Sequence, residues 1–531
     1  MKRKLLLVIF SLIVAVLHSQ VMFQKTLGDV GKYYLDMGYS SQQTTDGGVI
    51  VAGSTSSFGA GSFDFYLIKL ASDGTLLWTK TYGGSNADEG YSVQQTIDGG
   101  FVIAGYTKSF GVDSSDIYLV KTASDGSLQW SKTYGGIGSD IGYSVRQTSD
   151  GGFIITGRTT SFGAGSFDVY LVKTDPAGSM QWANTYGTPK ADYGYAVKQT
   201  NDGGFIIAGV TYFSGIRDDV YLVRTNSNGT LQWANAIGGT YTDEGYDVQQ
   251  TPDGGFIVTG LTQTSVNNYY VYLAKTLSDG SFQWANAIMG PDTWYGGRSV
   301  QKTTDGGFIV GGSIGQGINY NYYDFYLVKT NANGIPQWNK AYGGIGNDVA
   351  NSVQQVNDDG FIISGYTNSF GIGASNQDVY FIKTDSIGNA ASCNQINIGT
   401  GIGYFSAGGV NSTVSTQSTG GVFGTPATVT GSGGIATTLC TTVAANEMTE
   451  SNLIRISPNP FSEQTVIQSD NNFKNAELKV CNSFGQEVKH KDNLFGKEII
   501  LNTDDLPSGL YVIRLAEENK IYTGKLIIID K

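Results

Sequence analysis

The tripeptide Asp-Gly-Gly, or a near equivalent, starts at Asp46, Asp98, Asp150, Asp202, Asp253, Asp305 and Asp358, so the chain repeats itself seven times in steps of 52, 52, 52, 51, 52 and 53 residues. Short alternating apolar stretches separated by tight-turn residues fill each repeat. A unit of this size cannot bury a core alone and must stack on its neighbours. The 74 glycines, 32 tyrosines and only 9 prolines among 531 residues suit many hairpins and an all-β chain.

One unit, Asp88 to Gly105 followed by Asp116–Lys121 and Gly126–Tyr134, divides into four strands that we label a to d. Asp-Gly-Gly joins a to b, and turns such as Asp125-Gly126 join c to d; both supply the positive φ that tight hairpins need. Seven four-stranded sheets predict a seven-bladed β-propeller. The chain ends support closure. Phe23-Gln-Lys-Thr-Leu-Gly28 imitates strand d of the second unit, Trp130-Ser-Lys-Thr-Tyr-Gly135, whereas the seventh unit degenerates there into Gly388-Asn-Ala-Ala-Ser-Cys393. The early strand is therefore expected to complete the last blade and hide its edge. An open solenoid has shorter coils and gives no reason for a complementary missing strand.

Trp78, Trp130, Trp182, Trp233, Trp284 and Trp338 each lie on strand d, four residues after a turn glycine. This Gly-x-x-x-Trp spacing resembles the tryptophan-docking hairpin of quinoprotein propellers, which implies an indole packed between blades. That family's adjacent cysteine pair and eight blades are absent, so no quinone cofactor is implied. The hairpin is also similar to the Asp-box of sialidases, but here Asp and Gly are adjacent and the ring's arginines form no evident triad.

Composition excludes several functions. With 33 basic against 45 acidic side chains, the chain lacks the positive field that draws nucleic acid. Its two histidines, His18 and His490, lie outside the repeats, so the ring has no Ser-His-Asp or Cys-His site, and we assign no catalytic residues. Met-Lys-Arg-Lys followed by an apolar run from Leu5 to Leu17 reads as a secretory signal over 1–20, with no membrane span expected in the mature chain. Cys393 and Cys440 bracket a Gly/Ser/Thr-rich stretch, which they would close as a loop if oxidised; two separate thiols are the alternative.

With strand a innermost, the a–b and c–d turns share one rim, and the longer b–c and d–a loops share the other. Long loops on a rigid scaffold are the usual place for binding. Two aspartate series recur on that long-loop rim: Asp36, Asp88, Asp140, Asp192, Asp243 and Asp348 open strand a, and Asp64, Asp116, Asp168, Asp219, Asp324 and Asp378 open strand c. A cation reading, calcium held by each pair, stands beside a simpler one in which each Asp caps a turn. We favour the caps and assign no metal ligands, because two carboxylates make a poor cage. Tyr270 and Tyr295 replace aspartate at positions expected to be neighbours. Around them cluster Tyr269, Trp294, Arg298, Tyr320, Tyr322 and Tyr323. Aromatic faces with polar edges and one guanidinium suit a sugar or peptide, and these eight residues form the candidate ligand site. The competing reading is that the rings fill space left by the missing aspartates.

Residues 21–393 are thus read as the ring and 394–450 as a Gly/Ser/Thr-rich spacer. The tail, 451–531, regains strand patterns of a small β-sandwich. Through Ser457-Pro-Asn-Pro-Phe461, Phe484-Gly-Gln-Glu-Val488, Leu506-Pro-Ser-Gly-Leu-Tyr511 and Gly524-Lys-Leu526 it resembles the C-terminal sorting domain of the type IX secretion system of the Bacteroidetes. The resemblance implies contact with that machinery and a secreted or outer-membrane surface location. The expected product is a surface binding module for glycan or another cell-surface polymer. A structural matrix protein and a carbohydrate-active enzyme are the alternatives.

Overall fold

The computed structural model describes residues 21–528 apart from short segments, the longer of them 30–33, 290–294, 317–321, 372–376, 391–394, 397–402, 425–428, 444–454 and 483–486; between 395 and 443 it describes strand backbones only. Met1–Val443 and Ala444–Lys531 are separate compact units. The first contains seven antiparallel sheets, each with the order a-b-c-d. In the second blade these are Asp88–Gln95, Phe101–Thr107, Asp116–Thr122 and Leu128–Gly135. Strands b and c are buried along their whole length, as expected of sheets covered on both faces by neighbouring blades.

The seventh blade takes its strand d from the start of the chain. Val21–Gly28 pairs antiparallel with Asp378–Lys383 in the register Phe23↔Lys383, Lys25↔Phe381, Leu27↔Val379. Phe23 then does for the last blade what tryptophan does for the others. Trp78 packs on the turn glycine Gly126 of the next blade, where a methyl group would lie 2.9 Å from the indole, and Phe23 packs in the same way on Gly74 of the first blade, at 2.7 Å. Nearby, Tyr82 and Tyr134 donate to the turn carbonyls of Gly126 and Gly178, both at 2.6 Å.

Each Asp-Gly-Gly is one unit of local chemistry. Gly99 sits at φ +80°, which closes the a–b turn. Asp98 accepts from the Gly100 amide at 3.1 Å and pairs with Lys121 of strand c at 2.8 Å; a lysine or arginine makes the same pair in all seven blades. The second glycine leaves room for that cation, since a methyl on Gly100 would run into the Thr122 carbonyl and Lys121 Nζ. Hydrogen bonds from Lys275 and Thr251 hold the matching Asp253 carboxyl down at about 2.

The segment expected to be a spacer is part of the ring. Gln395–Ile396, Gly403–Ser406, Val410–Thr413, Thr416–Thr419, Val422–Gly424 and Val429–Gly431 pair antiparallel with strand d of blades six, five, four, three, two and one in turn. Ile435–Val443 then covers Val21–Gly28 on blade seven. The chain thus runs back around the whole ring and gives every blade a fifth, outermost strand. Such strands satisfy the outer edge of strand d, which would otherwise offer unpaired backbone groups.

In the tail, Arg455–Ser457, Gln464–Asn482, Gly509–Glu517 and Lys520–Ile528 are neighbours in one sheet, and Glu487–Asn502 also pairs with Gln464–Asn482. Register shifts along the longest strand bend it around a core that includes Phe461, Ile467, Phe473, Val480, Ile513 and Leu526. The motif residues are structural here: Asn459 Oδ1 accepts from the Ile527 amide at 2.8 Å, and Tyr511 donates to the Pro507 carbonyl at 2.7 Å.

Candidate functional site

Strand a lines a central channel containing a cavity of about 200 Å³. Its repeating Tyr-Ser-Val-Gln-Gln sequence stitches blade to blade. The serine hydroxyl accepts from the next blade's amide, as in Val93 N to Ser40 Oγ at 3.3 Å and Val145 N to Ser92 Oγ at 3.2 Å. The first glutamine does the same one turn of the pleat lower, with Gln95 N to Gln42 Oε1 and Gln147 N to Gln94 Oε1 both at 2.7 Å. Blade seven joins blade one through Ser41 N to Ser352 Oγ at 3.2 Å and Gln43 N to Gln354 Oε1 at 2.6 Å, so both belts cross the closure point.

The position of that tyrosine is a β-bulge in every strand a, such as the shift between Gly90 and Ser92, and it holds tyrosine in five blades, Arg298 in the sixth and Asn351 in the seventh. Bulges re-aim side chains. Here the bulge carries Tyr39, Tyr91, Tyr143, Tyr195 and Tyr246 of five successive blades into one arc, with ring centroids 5.0, 5.6, 5.2 and 5.5 Å apart. Arg298 of blade six continues the arc, its guanidinium 4.4 Å from the Tyr246 ring, and Asn351 of blade seven donates to the Gly38 carbonyl at 2.9 Å. Strand a starts at the long-loop rim, and the tyrosine, its fourth residue, precedes the serine and glutamine belts, so the arc is the layer of the channel that faces the mouth on that rim. Burial pushes these hydroxyls above their ordinary range and keeps them neutral. Tyr193 stacks on Tyr195 with centroids 6.0 Å apart, and Arg158 lies 4.6 Å from Phe167, extending the aromatic surface outward.

The eight candidate residues divide. Arg298 is exposed and belongs to the arc; Tyr322 is 48% exposed, and Tyr269 and Tyr323 are half-buried on the strands beneath the rim. Tyr270 is not a surface residue: at 9% exposure it packs in a core cluster with Ile288, Ile314 and the partly buried Met289. Trp294 and Tyr320, with the side chain of Tyr295, lie outside the described residues, as do the expected signal at 1–20 and the Cys393–Cys440 pairing. The arc tyrosines escaped sequence reasoning because a constant repeat residue reads as packing. The signal was present as Gly-Tyr-Ser, a glycine before a large residue on the innermost strand.

The paired aspartates meet across blades on either side of a strand-d glycine: a methyl on Gly83 would strike Asp64 and lie 2.7 Å from Asp88. Met289 stands at the equivalent place beside Tyr270. The glycine and its aspartates are thus replaced together, and of the replacements Tyr270 and Met289 pack in that core cluster. Elsewhere the carboxylates act as turn caps. Asp88 Oδ2 accepts from the Gly84 amide and Ser109 Oγ, each at 2.7 Å, and Asp64 Oδ2 accepts from the amides of Ala60 and Gly61 at 2.9 and 3.0 Å. Burial, reinforced by the facing carboxylate, pushes Asp36 and Asp116 up to about 6 and Asp243 up to about 7.

Deeper in the channel the belts are interrupted. Arg146 and Lys198 take the first-glutamine position in blades three and four, and Asp247 takes the serine position in blade five. Lys198 Nζ lies 3.7 Å from Asp247 Oδ1, while Asp247 Oδ2 accepts from the Val300 amide at 3.0 Å. In the tail, His490 Nε2 stands 3.1 Å from Glu477 and 2.8 Å from Asp492; Lys479 also pairs with Glu477, at 2.9 Å.

No curated protein matches the chain. Residues 44–76 match a domain of unknown function (DUF5122) beta-propeller. Among the described residues no helix is long and apolar enough to cross a membrane. Residues 455–529 match the secretion system C-terminal sorting domain, so the tail is the address that sends this propeller through the type IX machinery to the outer-membrane surface or beyond.

Proposed function

We propose that the exported ring is a binding module, without catalytic activity, that takes a glycan or another cell-surface polymer at its tyrosine-lined mouth. The arc of five tyrosines closed by Arg298 carries this reading. Tyrosine offers flat apolar area at low entropic cost together with a hydroxyl handle, and a guanidinium adds planar hydrogen bonding to hydroxyl or acidic groups. Exposed Tyr322 and Tyr212, at 48% and 40%, add further ring faces. The absence of histidine from the ring sequence argues for binding over acid–base chemistry.

A glycan-array screen of the full chain, with Arg298→Ala, Tyr322→Ala and Trp294→Ala variants alongside, tests the reading. The wild type is expected to retain one class of glycan, and the Arg298→Ala and Tyr322→Ala proteins to lose about tenfold or more in affinity, the scale of one lost anchor contact. Failure to retain any glycan removes the partner class. Undiminished retention by all three variants removes the mouth as the site.

A further inference from the structure

We infer that the channel holds a second site, below the tyrosine arc, at which Arg146 and Lys198 bind a compact oxyanion such as a carboxylate or phosphate group. The site follows from what the repeat does elsewhere. In five blades the first glutamine accepts the amide of the next strand a, as Gln42, Gln94, Gln249, Gln301 and Gln354 do. Arginine and lysine have no acceptor atom. The glutamine belt is therefore broken in these two blades, where Gln199 and Gln250 lack the glutamine acceptor that their five counterparts have and two positive side chains line the cavity instead.

Asp247 does not neutralise the pair. It is one carboxylate against two cations, and its oxygens are already engaged by the amides of Val248 and Val300 at 2.9 and 3.0 Å and by Lys198. The remaining lining side chains of the cavity are serine, glutamine and valine, so these three are the charged groups facing the site. A cavity of about 200 Å³ lined by two cations against one carboxylate, with serine hydroxyls and glutamine amide groups around them, matches the donor set of a small oxyanion. Burial, together with the neighbouring Arg146, pulls Lys198 down to about 8, so the site loses charge as the solution turns alkaline.

Substitution to glutamine tests this without threatening the fold, because Arg146→Gln and Lys198→Gln restore the residue that the other five blades carry. Isothermal titration of the full chain with inorganic phosphate and, separately, with acetate is expected to give saturable binding of at least one anion with a dissociation constant on the order of millimolar. Each variant should bind about tenfold more weakly, and wild-type affinity should fall as pH rises through 8. Whichever anion binds identifies the ligand group. No saturable heat from either anion, or glutamine variants that bind as the wild type does, would overturn the site. Neither result bears on the glycan reading, which rests on the mouth.

Discussion

Gly126 shows how much of this fold is decided at single residues. Its φ of +78° closes the c–d turn, and the missing side chain makes the seat for Trp78, with Lys80 Cγ 2.8 Å from where a methyl would sit. Gly126→Ala is therefore expected to destabilise the ring by roughly 1–3 kcal/mol, from backbone strain and a displaced indole together. Denaturant unfolding measures this. A loss below about 0.5 kcal/mol, the range of neutral surface changes, would show that the indole is not docked there.

The two kinds of aspartate make stability depend on pH in opposite senses. Asp36, Asp116 and Asp243 are raised from an ordinary 3.8, so in the fold they hold protons that the unfolded chain has released; stability falls as pH rises from about 4 to about 7. Asp150, Asp253 and Asp305 are held at about 2, and their contribution is lost as pH falls from about 4 toward 2. Thermal melts across pH 3 to 8 should therefore peak near pH 4–5, and a melting temperature still climbing from pH 5 to 7.5 would contradict the assignment. The sequence displays the rim aspartates and the Asp-Gly-Gly aspartates alike but not their difference, because the partner that separates them, Lys69 or its equivalents, lies on another strand.

At the scale of strands, hairpin turns and alternation make a to d legible, and the resemblance of Phe23–Gly28 to strand d locates the early strand from sequence. The outer strands were not legible. Two to nine residues long and rich in Gly, Ser and Thr, they have little apolar pattern of their own and draw order from the strand-d edges they cover. Their spacing was the available signal. They begin at 395, 403, 410, 416, 422, 429 and 435, seven short pieces for seven blades. Deleting 395–443 while keeping ring and tail joined should lower the melting temperature and cause self-association through bare edges. A deletion protein that stays monomeric in light scattering and melts as before would show that the belt does not stabilise the ring.

At the scale of the molecule, a closed ring gives the channel a complete wall and the mouth an unbroken arc, and the sorting tail gives the ring its destination. The candidate mouth was half legible. Arg298 and Tyr322 stood out because they break or flank the repeat, whereas Tyr91 and its counterparts obey it and could be assigned only once the bulge showed where they point. All of this depends on Val21–Gly28 sealing blade seven, where Phe23 is fully buried and stacks 5.5 Å from Phe381. Phe23→Ala is expected to destabilise the ring by about 3–5 kcal/mol, as large truncations in a packed core do, and a loss under about 1 kcal/mol would place that ring outside the core. The most direct measurement is hydrogen exchange on the intact chain. Amides in 23–28 should exchange as slowly as those of their partners in 379–383, and rapid exchange of 23–28 beside a protected 379–383 would mean that the circle is open.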